Sequence, residues 1–241
     1  TDGVYSSWEE ANASGIAGAA PGEIRYINHH VDLDDSGQPL EIQEINFDDY
    51  VKIGDPNPDF TYSISNNFTY KNWDANILFT GQKGGDLFWV DSWQLSGLQK
   101  TTNILSSSYA NSWIAPLYYE NGNYIYDESV GNLNSVNHPG AMIETGSRAI
   151  SSDRNIFDGS FVRLKNINVG YNFDLKDGKN MRVYLAGQNL VVWTDYPGYD
   201  PEVRTYTKNP QKRGVDFGTY PGTRSLPVSY THLRAHETPA N

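Results

Sequence analysis

The sequence predicts an all-β chain whose strands belong to the wall of a membrane-spanning antiparallel β-barrel, and three observations carry that expectation. Four segments alternate apolar and polar residues with the two-residue period of a strand. Aromatic residues (Tyr62, Tyr70, Trp73, Phe79, Tyr171, Phe173, Trp193) sit at the ends of those segments. Tight polar turns alternate with long loops along the chain, the asymmetry that spanning barrels show between their two sides. A β-sandwich is the alternative, because alternation alone does not say whether a greasy face meets lipid or a second sheet.

Taken in order, 1–58 reads as irregular loop, with small-residue and acidic clusters and at most a short helix around Ser7 to Ala13. The prolines of GDPNPDF, Gly54 to Phe60, delay regular pairing until the chain enters a strand. The first strand is expected near 61–70, where Tyr62, Ile64, Phe68 and Tyr70 oppose Thr61, Ser63, Ser65, Asn67 and Thr69. A two-residue Lys71-Asn72 turn leads to a second strand near 73–81, with Trp73, Ala75, Ile77 and Phe79 on one side. Leu78 is its exception. From Gln82 to Asp158 the chain has little sustained period, and a short helix is plausible near Gln94 to Leu105. A structureless loop of that length is odd in a compact soluble domain but ordinary outside a large barrel.

The third strand, near 160–173, is SFVRLKNINVGYNF. Ile167, Val169, Tyr171 and Phe173 share one parity, whereas Val162 and Leu164 lie on the other. That flip predicts a bulge near Lys165, or emergence of the strand from the bilayer there, with Arg163 and Lys165 at or above the interface. After the short DLKDGKN connection comes a fourth strand near 181–193, with Met181, Val183 and Leu185 opposite Arg182, Tyr184 and Gln188. A second long, Gly- and Pro-rich segment follows through Arg224.

Composition narrows the function. Of 241 residues 38% are hydrophobic, but a barrel needs only alternate residues of short segments to be greasy, so this does not exclude a membrane. No run approaches the ~18 to 20 apolar residues a spanning helix requires. Aromatics make up 13%, with 17 Tyr and 6 Trp, which suits carbohydrate-binding surfaces or barrel girdles. A net charge of −11 argues against nucleic acid, which wants a basic face. The absence of cysteine excludes disulfides, thiolate chemistry and Cys zinc sites. Thr1 is not preceded by Met and no targeting signal is present, so an exported protein of this sequence is expected to carry its leader upstream.

Four ordered motifs carry a family resemblance: IGDPNPDFTYSISNNFTYKNWDANILFTGQKGGDLF at 53–88, SFVRLKNINVGYNF, MRVYLAGQNLVVWTDYPGYDPEV, and GVDFGTYP, with PGEIRY at 21–26 upstream. Over roughly 1–225 the chain resembles the C-terminal barrel portion of SusC/RagA-type TonB-linked outer-membrane proteins. The resemblance implies a 22-stranded barrel, incomplete in this chain, in the cell outer membrane. It also implies an N-terminal plug, absent here, that contacts TonB, and a lid of the SusD lipoprotein type. Its activity would be import of oligosaccharides, peptides or other bulky nutrients, with no catalysis. A secreted carbohydrate-binding β-sandwich is the runner-up, and a glycoside hydrolase trails it. The family's closing strand of alternating aromatics is not matched. LPVSYTHLRAHETPAN, 226–241, shows no strand alternation and resembles a translated sequencing adapter, so it is expected to be a non-native tail outside the fold.

Candidate sites are few. DLDDSG, Asp32 to Gly37, supplies oxygens at alternate positions and a turn glycine, so Asp32, Asp34 and Ser36 are candidate ligands of a structural calcium, with Asp49 as the distant bidentate acid. An acidic solvated turn is the competing reading. Adjacent His29 and His30 on an extended segment point to opposite sides, which disfavours zinc, and His138 is solitary. Trp89, Trp93, Trp113, Tyr118 and Tyr119 are candidates for stacking on sugar rings or contacting a lid protein; girdle or loop packing is the alternative for each. No G-x-S-x-G, P-loop or H-E-x-x-H motif occurs.

Overall fold

A computed structural model describes residues 1–96, 103–127, 129–131, 139–140, 151–176, 179–203 and 212–233. Among these residues the strands are β1 (Pro58–Tyr70), β2 (Trp73–Gly84), β3 (Asp86–Trp89), β4 (Leu117–Glu120), β5 (Asn123–Tyr126), β6 (Ile156–Asp158), β7 (Phe161–Asp174), β8 (Asn180–Thr194), β9 (Val215–Asp216) and β10 (Val228–Leu233). The chain divides into two compact units, one built on 1–54, 88–156 and 215–218 and the other on 55–87, 157–214 and 219–241.

The second unit holds an antiparallel sheet in the order β1-β2-β7-β8-β10. Its register follows from the sequence pattern. Tyr62 opposes Gly81, Ile64 opposes Phe79, Phe68 opposes Ala75 and Tyr70 opposes Trp73, so apolar residues share one face. β2 hands that face to β7 through Trp73↔Tyr171, Ala75↔Val169 and Ile77↔Ile167, and β7 hands it to β8 through Tyr171↔Val183 and Val169↔Leu185. A one-residue slip anywhere would send the whole apolar set to the other face, so the pairing is specified by the pattern. Lys71 takes a φ of 53° in the tight turn. Asn72 ties that turn to β7: its Nδ2 donates to the Asn172 carbonyl at 2.8 Å, and the Asn172 N–H donates to the Asn72 carbonyl at 2.8 Å.

The parity flip in the third strand has a structural origin. The register of β7 jumps between Leu164 and Asn166 against β8, and between the same residues and Leu78/Phe79 of β2, leaving Lys165 as an extra residue. β8 answers with two extra residues of its own, Asn189 and Leu190, between Gln188 and Val191, and Asn189 sits in the left-handed region with φ 51°. Past the bulge Leu164 and Val162 therefore rejoin the apolar face, opposite Val191 and Trp193.

Within its own unit the apolar face is left uncovered by the described residues. Leu185 is 52% exposed, Phe68 58% and Trp193 52%, while Ile77, Phe79 and Val169 are only half-buried. Aromatics close its lower end, where Trp73 and Tyr171 meet edge to face at 4.9 Å and Tyr171 meets Phe173 at 4.6 Å. At its other end Phe60 and Tyr62 lie 6.1 Å apart, and the Tyr62 ring lies over Gly81, where a Cβ would meet it at 2.5 Å. Tyr70 lies eight residues on from Tyr62, about 27 Å along a strand at ~3.4 Å per residue, which a strand tilted by ~35–45° projects to roughly 20 Å, most of the ~25 Å apolar band of a spanning barrel.

β10 departs from the expectation for 226–241. Val228↔Leu185 and Tyr230↔Val183 join the apolar face, and Ser229↔Tyr184 and Thr231↔Arg182 join the polar one. The four residues VSYT do alternate, and the open edge of β8 offers unpaired N–H and C=O groups that an alternating extended segment can satisfy.

The first unit is built from short elements. α1 (Trp8–Ala13) is capped by Ser7, whose hydroxyl accepts the Glu10 N–H at 3.2 Å, while Glu10 accepts the Ser6 N–H at 2.8 Å. Helices at Asp91–Leu95 and Ser106–Ala110 flank the stretch Gln94 to Leu105 where one was expected; 103–105 is not helical, and residues 97–102 lie outside the described set. Phe88 and Trp89 pair in parallel with Val215 and Asp216. β4 and β5 form an isolated hairpin.

With lipid as the medium on the apolar face, Ile167→Arg in the intact protein is expected to cost about 2–4 kcal/mol, because a guanidinium would replace a side chain near the middle of the greasy band. Ser63→Lys on the polar face is expected to change stability by less than about 1 kcal/mol. Denaturant titration of the protein in lipid vesicles checks the pair.

Candidate functional site

The polar face of the sheet is lined by Ser63, Ser65, Asn67, Asn76, Thr80, Asn166, Asn168, Asn172 and Gln188. It is a surface of amides and hydroxyls. The Asn76 amide donates to Asn67 Oδ1 at 2.6 Å across the β1–β2 ladder. Four charged residues of the β2, β7 and β8 ladders also occupy this parity, Asp74, Arg163, Asp174 and Arg182; Asp174 stands at the turn end of β7, and the other three are ion-paired.

Asp74 and Arg182 meet across β7. Arg182 Nε donates to Asp74 Oδ1 at 3.0 Å and Nη2 to Oδ2 at 2.6 Å, a bidentate fork. Asn172 Nδ2 donates to Asp74 Oδ1 at 3.2 Å, Arg182 Nη2 reaches Asn168 Oδ1 at 3.3 Å, and the guanidinium lies 4.9 Å from the centre of the Tyr184 ring. Gly170 makes this possible. It stands between Asp74 and Tyr184 in the ladder, and a Cβ there would come within 2.5 Å of the Arg182 guanidinium. Strand parity marks these residues as members of the polar face, but which acid pairs with which base depends on register between strands 108 residues apart in sequence.

The second charged group is at the loop end. Arg163, with a side chain only 4% accessible, donates to Asp200 Oδ1 at 2.5 Å and pairs with Glu202 at 2.8 Å, and Lys165 in the bulge reaches Glu202 at 3.2 Å. Sequence reasoning placed Arg163 and Lys165 at the interface but identified neither partner.

The sequence-derived candidates separate. Trp89 is buried, and its carbonyl accepts the Ser92 hydroxyl at 2.6 Å. Trp93 packs on the buried Ile24, and Trp113 Nε1 donates to the Ser6 carbonyl at 3.3 Å. These three tryptophans hold the first unit together. Tyr118 and Tyr119 instead stand exposed on the β4–β5 hairpin, where Tyr119 and Tyr124 meet at 5.1 Å beside exposed Leu117 and Tyr126.

The acidic candidates are engaged as turn and cap acceptors. Asp34 Oδ1 accepts the N–H groups of Ser36 and Gln38 at 2.8 and 2.9 Å, closing the turn. Asp32 Oδ2 accepts the Glu44 N–H at 2.8 Å. Asp49 Oδ1 takes the N–H groups of His29 and His30 at 2.8 and 2.9 Å, and its Oδ2 takes the Asn46 N–H at 2.8 Å in a capping box. Among the described residues no group of three or more His, Asp or Glu side chains gathers in a metal-binding arrangement. His138 lies outside the described residues.

Comparison with known proteins places this geometry. The chain is 35% identical over 93% of its length to TonB-dependent receptor P3 of Formosa agariphila, covering 20% of that protein, and 27% identical over 93% to receptor P26 of the same organism. It is 31% identical over 41% of its length to TonB-dependent receptor SusC of Bacteroides thetaiotaomicron. The fold matches the RagAB peptide importer in its closed-closed state with a TM-score of 0.54 and 18% identity, covering 84% of this chain and 20% of that one. No family model matches. The chain thus spans about a fifth of the length of the first two relatives.

Gly170→Val is expected to push Arg182 off Asp74 and cost about 1–3 kcal/mol. A double-mutant cycle of Asp74→Asn and Arg182→Gln should give a coupling of about 0.5–1 kcal/mol, modest because both side chains are a third exposed. Asp49 carries a pH prediction. Burial pushes its carboxyl up, but the N–H donors of Asn46, His30 and His29 outweigh burial and hold it below the usual range. A depressed folded-state value contributes stability above the unfolded pKa of about 3.9 and loses it as pH falls through the folded-state value. Protection of the His29 and His30 amides from hydrogen exchange should therefore be full near neutrality and fall only in strong acid. Asp49→Asn should reduce that protection by about 1–3 kcal/mol and remove its acid dependence.

Proposed function

The chain belongs with the SusC/RagA-type TonB-dependent receptors, of whose length it spans about a fifth, and on that footing we propose that the whole receptor imports a bulky nutrient across an outer membrane. The observation that carries this is a single sheet with one uncovered apolar face and one amide- and hydroxyl-lined face, in a chain 35% identical along nearly its whole length to a receptor of that family. Lipid covers the first face and the water-filled interior of the barrel meets the second. The antiparallel order puts the strand ends that lead into the long 85–160 and 195–227 connections at one end of the sheet and those joined by the short 71–72 and 175–179 connections at the other, and the long ones are the extracellular loops.

The nutrient is an oligosaccharide or a peptide. With Asp74, Arg182 and Arg163 each ion-paired and Asp174 at the turn end, the middle of the wall is a surface that hydrogen-bonds neutral polar groups without selecting a sign. The receptor works with a SusD-type lipoprotein on the outer side, and exposed Tyr118 and Tyr119 are the aromatic contacts this chain offers to that partner or to nutrient. Energy comes through TonB acting on the plug of the receptor. The receptor carries out no chemical conversion. The secreted-sandwich reading needs a second sheet on the apolar face, and Phe68, Leu185 and Trp193 remain more than half exposed.

Deletion of the receptor gene in its host, with uptake of labelled oligosaccharides and peptides measured alongside membrane fractionation, tests this. The expected outcome is recovery of the receptor in outer-membrane fractions, and uptake of one nutrient class that is lost on deletion or on removal of TonB. Recovery as a soluble secreted protein, with uptake unchanged, overturns it.

A further inference from the structure

Alternation specifies strand pairing only up to shifts of two. A one-residue slip exchanges the faces and is penalised everywhere, whereas a two-residue slip keeps every side chain on its own face. The stretch that returns to β8 after the second long loop is short and has few side chains with which to discriminate between such registers. Something other than pattern has to choose.

The structure supplies it in one carboxylate. Asp200 Oδ1 accepts from Arg163 of β7 at 2.5 Å and from the Glu202 N–H at 2.9 Å, while its Oδ2 accepts the Gly222 N–H at 3.1 Å. Three stretches far apart in sequence therefore end on one side chain: β7, the outgoing Tyr199–Glu202 and the returning Pro221–Ser225. Both ions are nearly enclosed, with 4% and 8% of the side chains accessible. Just beyond, Asn189, held at a φ of 51° in the β8 irregularity, donates its Nδ2 to the Thr223 carbonyl at 3.2 Å. Ser225 and Gln188 then exchange both backbone hydrogen bonds, at 2.9 and 3.2 Å, opening the antiparallel ladder that β10 continues.

We propose that the buried Arg163–Asp200 pair is a register clamp: it fixes which residue of the returning segment meets Gln188, and so sets the pairing of every residue added after it. A salt bridge suits this task because it is directional where apolar packing is not, and because losing Asp200 leaves the buried Arg163 with only Glu202, which is also shared with Lys165 and makes no contact with the returning segment. The proposal rests on the geometry of the wall and not on import, so it stands or falls whether or not the receptor moves a nutrient.

This chain contributes no cysteine of its own, and any cysteine elsewhere in the receptor is replaced before disulfide trapping. In the intact receptor, Gln188→Cys with Ser225→Cys is expected to cross-link in high yield. Adding Asp200→Asn should cut that yield roughly tenfold or more, and cross-links of Gln188→Cys with Thr223→Cys or Pro227→Cys should appear, the two-residue slips. Glu202→Gln, which leaves both Asp200 oxygens engaged, should leave the 188–225 cross-link unchanged. If Asp200→Asn does not assemble, Asn189→Gly keeps the left-handed backbone, removes only the bond to Thr223, and should lower the yield about threefold. An unchanged 188–225 cross-link in Asp200→Asn or Asn189→Gly, or an equal loss in Glu202→Gln, overturns the clamp.

Discussion

The constraint on which the sheet depends is that, inside the outer edge of β1, its backbone is satisfied by neighbouring strands while one face of side chains is covered by none of the described residues of its unit. Between β1 and β8 each strand spends its N–H and C=O groups on the next, so the main chain asks little of its surroundings. The apolar face asks for a medium. Burying a Leu or Phe side chain is worth about 1.5–3 kcal/mol, and more than a dozen such residues left in water would be a liability that no soluble fold retains. Hydrocarbon removes the liability. The aromatic rows at the two ends of the face then mark where the hydrocarbon stops.

The other face follows from the same requirement. Facing a wet interior, it can be built from Asn, Ser and Thr, and it can carry charge only where charge is matched. Asp74 and Arg182 match across β7, over a glycine that leaves room for the guanidinium. Arg163 is matched by residues of the loop above it. One ion pair stiffens the wall near its tight turns, and the other joins wall to loop near its long connections.

Much of this was legible in the sequence because the strand period is local. Tyr62 to Tyr70 and Trp73 to Phe79 declare a hairpin within twenty residues, and the change of parity at Lys165 marks the irregularity there without any knowledge of its partner strands, although choosing the bulge over an exit from the bilayer took the register. The answering irregularity at Asn189 and Leu190 was not legible, because its local parity looks like a simple end of pattern. The ion pairs were not legible either: residues 37 and 108 positions apart meet only once register is set. β10 was misjudged because four alternating residues inside an otherwise patternless tail are too few to stand out, and what makes them a strand is the open edge of β8. The candidate tryptophans illustrate a further limit, since an aromatic in a loop reads the same whether it packs inward like Trp93 or stands exposed like Tyr119.

Lipid contact on one parity of one strand is the most direct thing to measure. Single nitroxide labels placed in turn at Asn166, Ile167, Asn168 and Val169 of the intact receptor in bilayers report collisions with oxygen, which concentrates in hydrocarbon, and with a water-soluble nickel chelate. Ile167 and Val169 are predicted to favour oxygen, while Asn166 and Asn168 show low oxygen access. Uniformly low oxygen access at all four positions would mean that protein, not lipid, covers the apolar face, and would contradict the barrel wall.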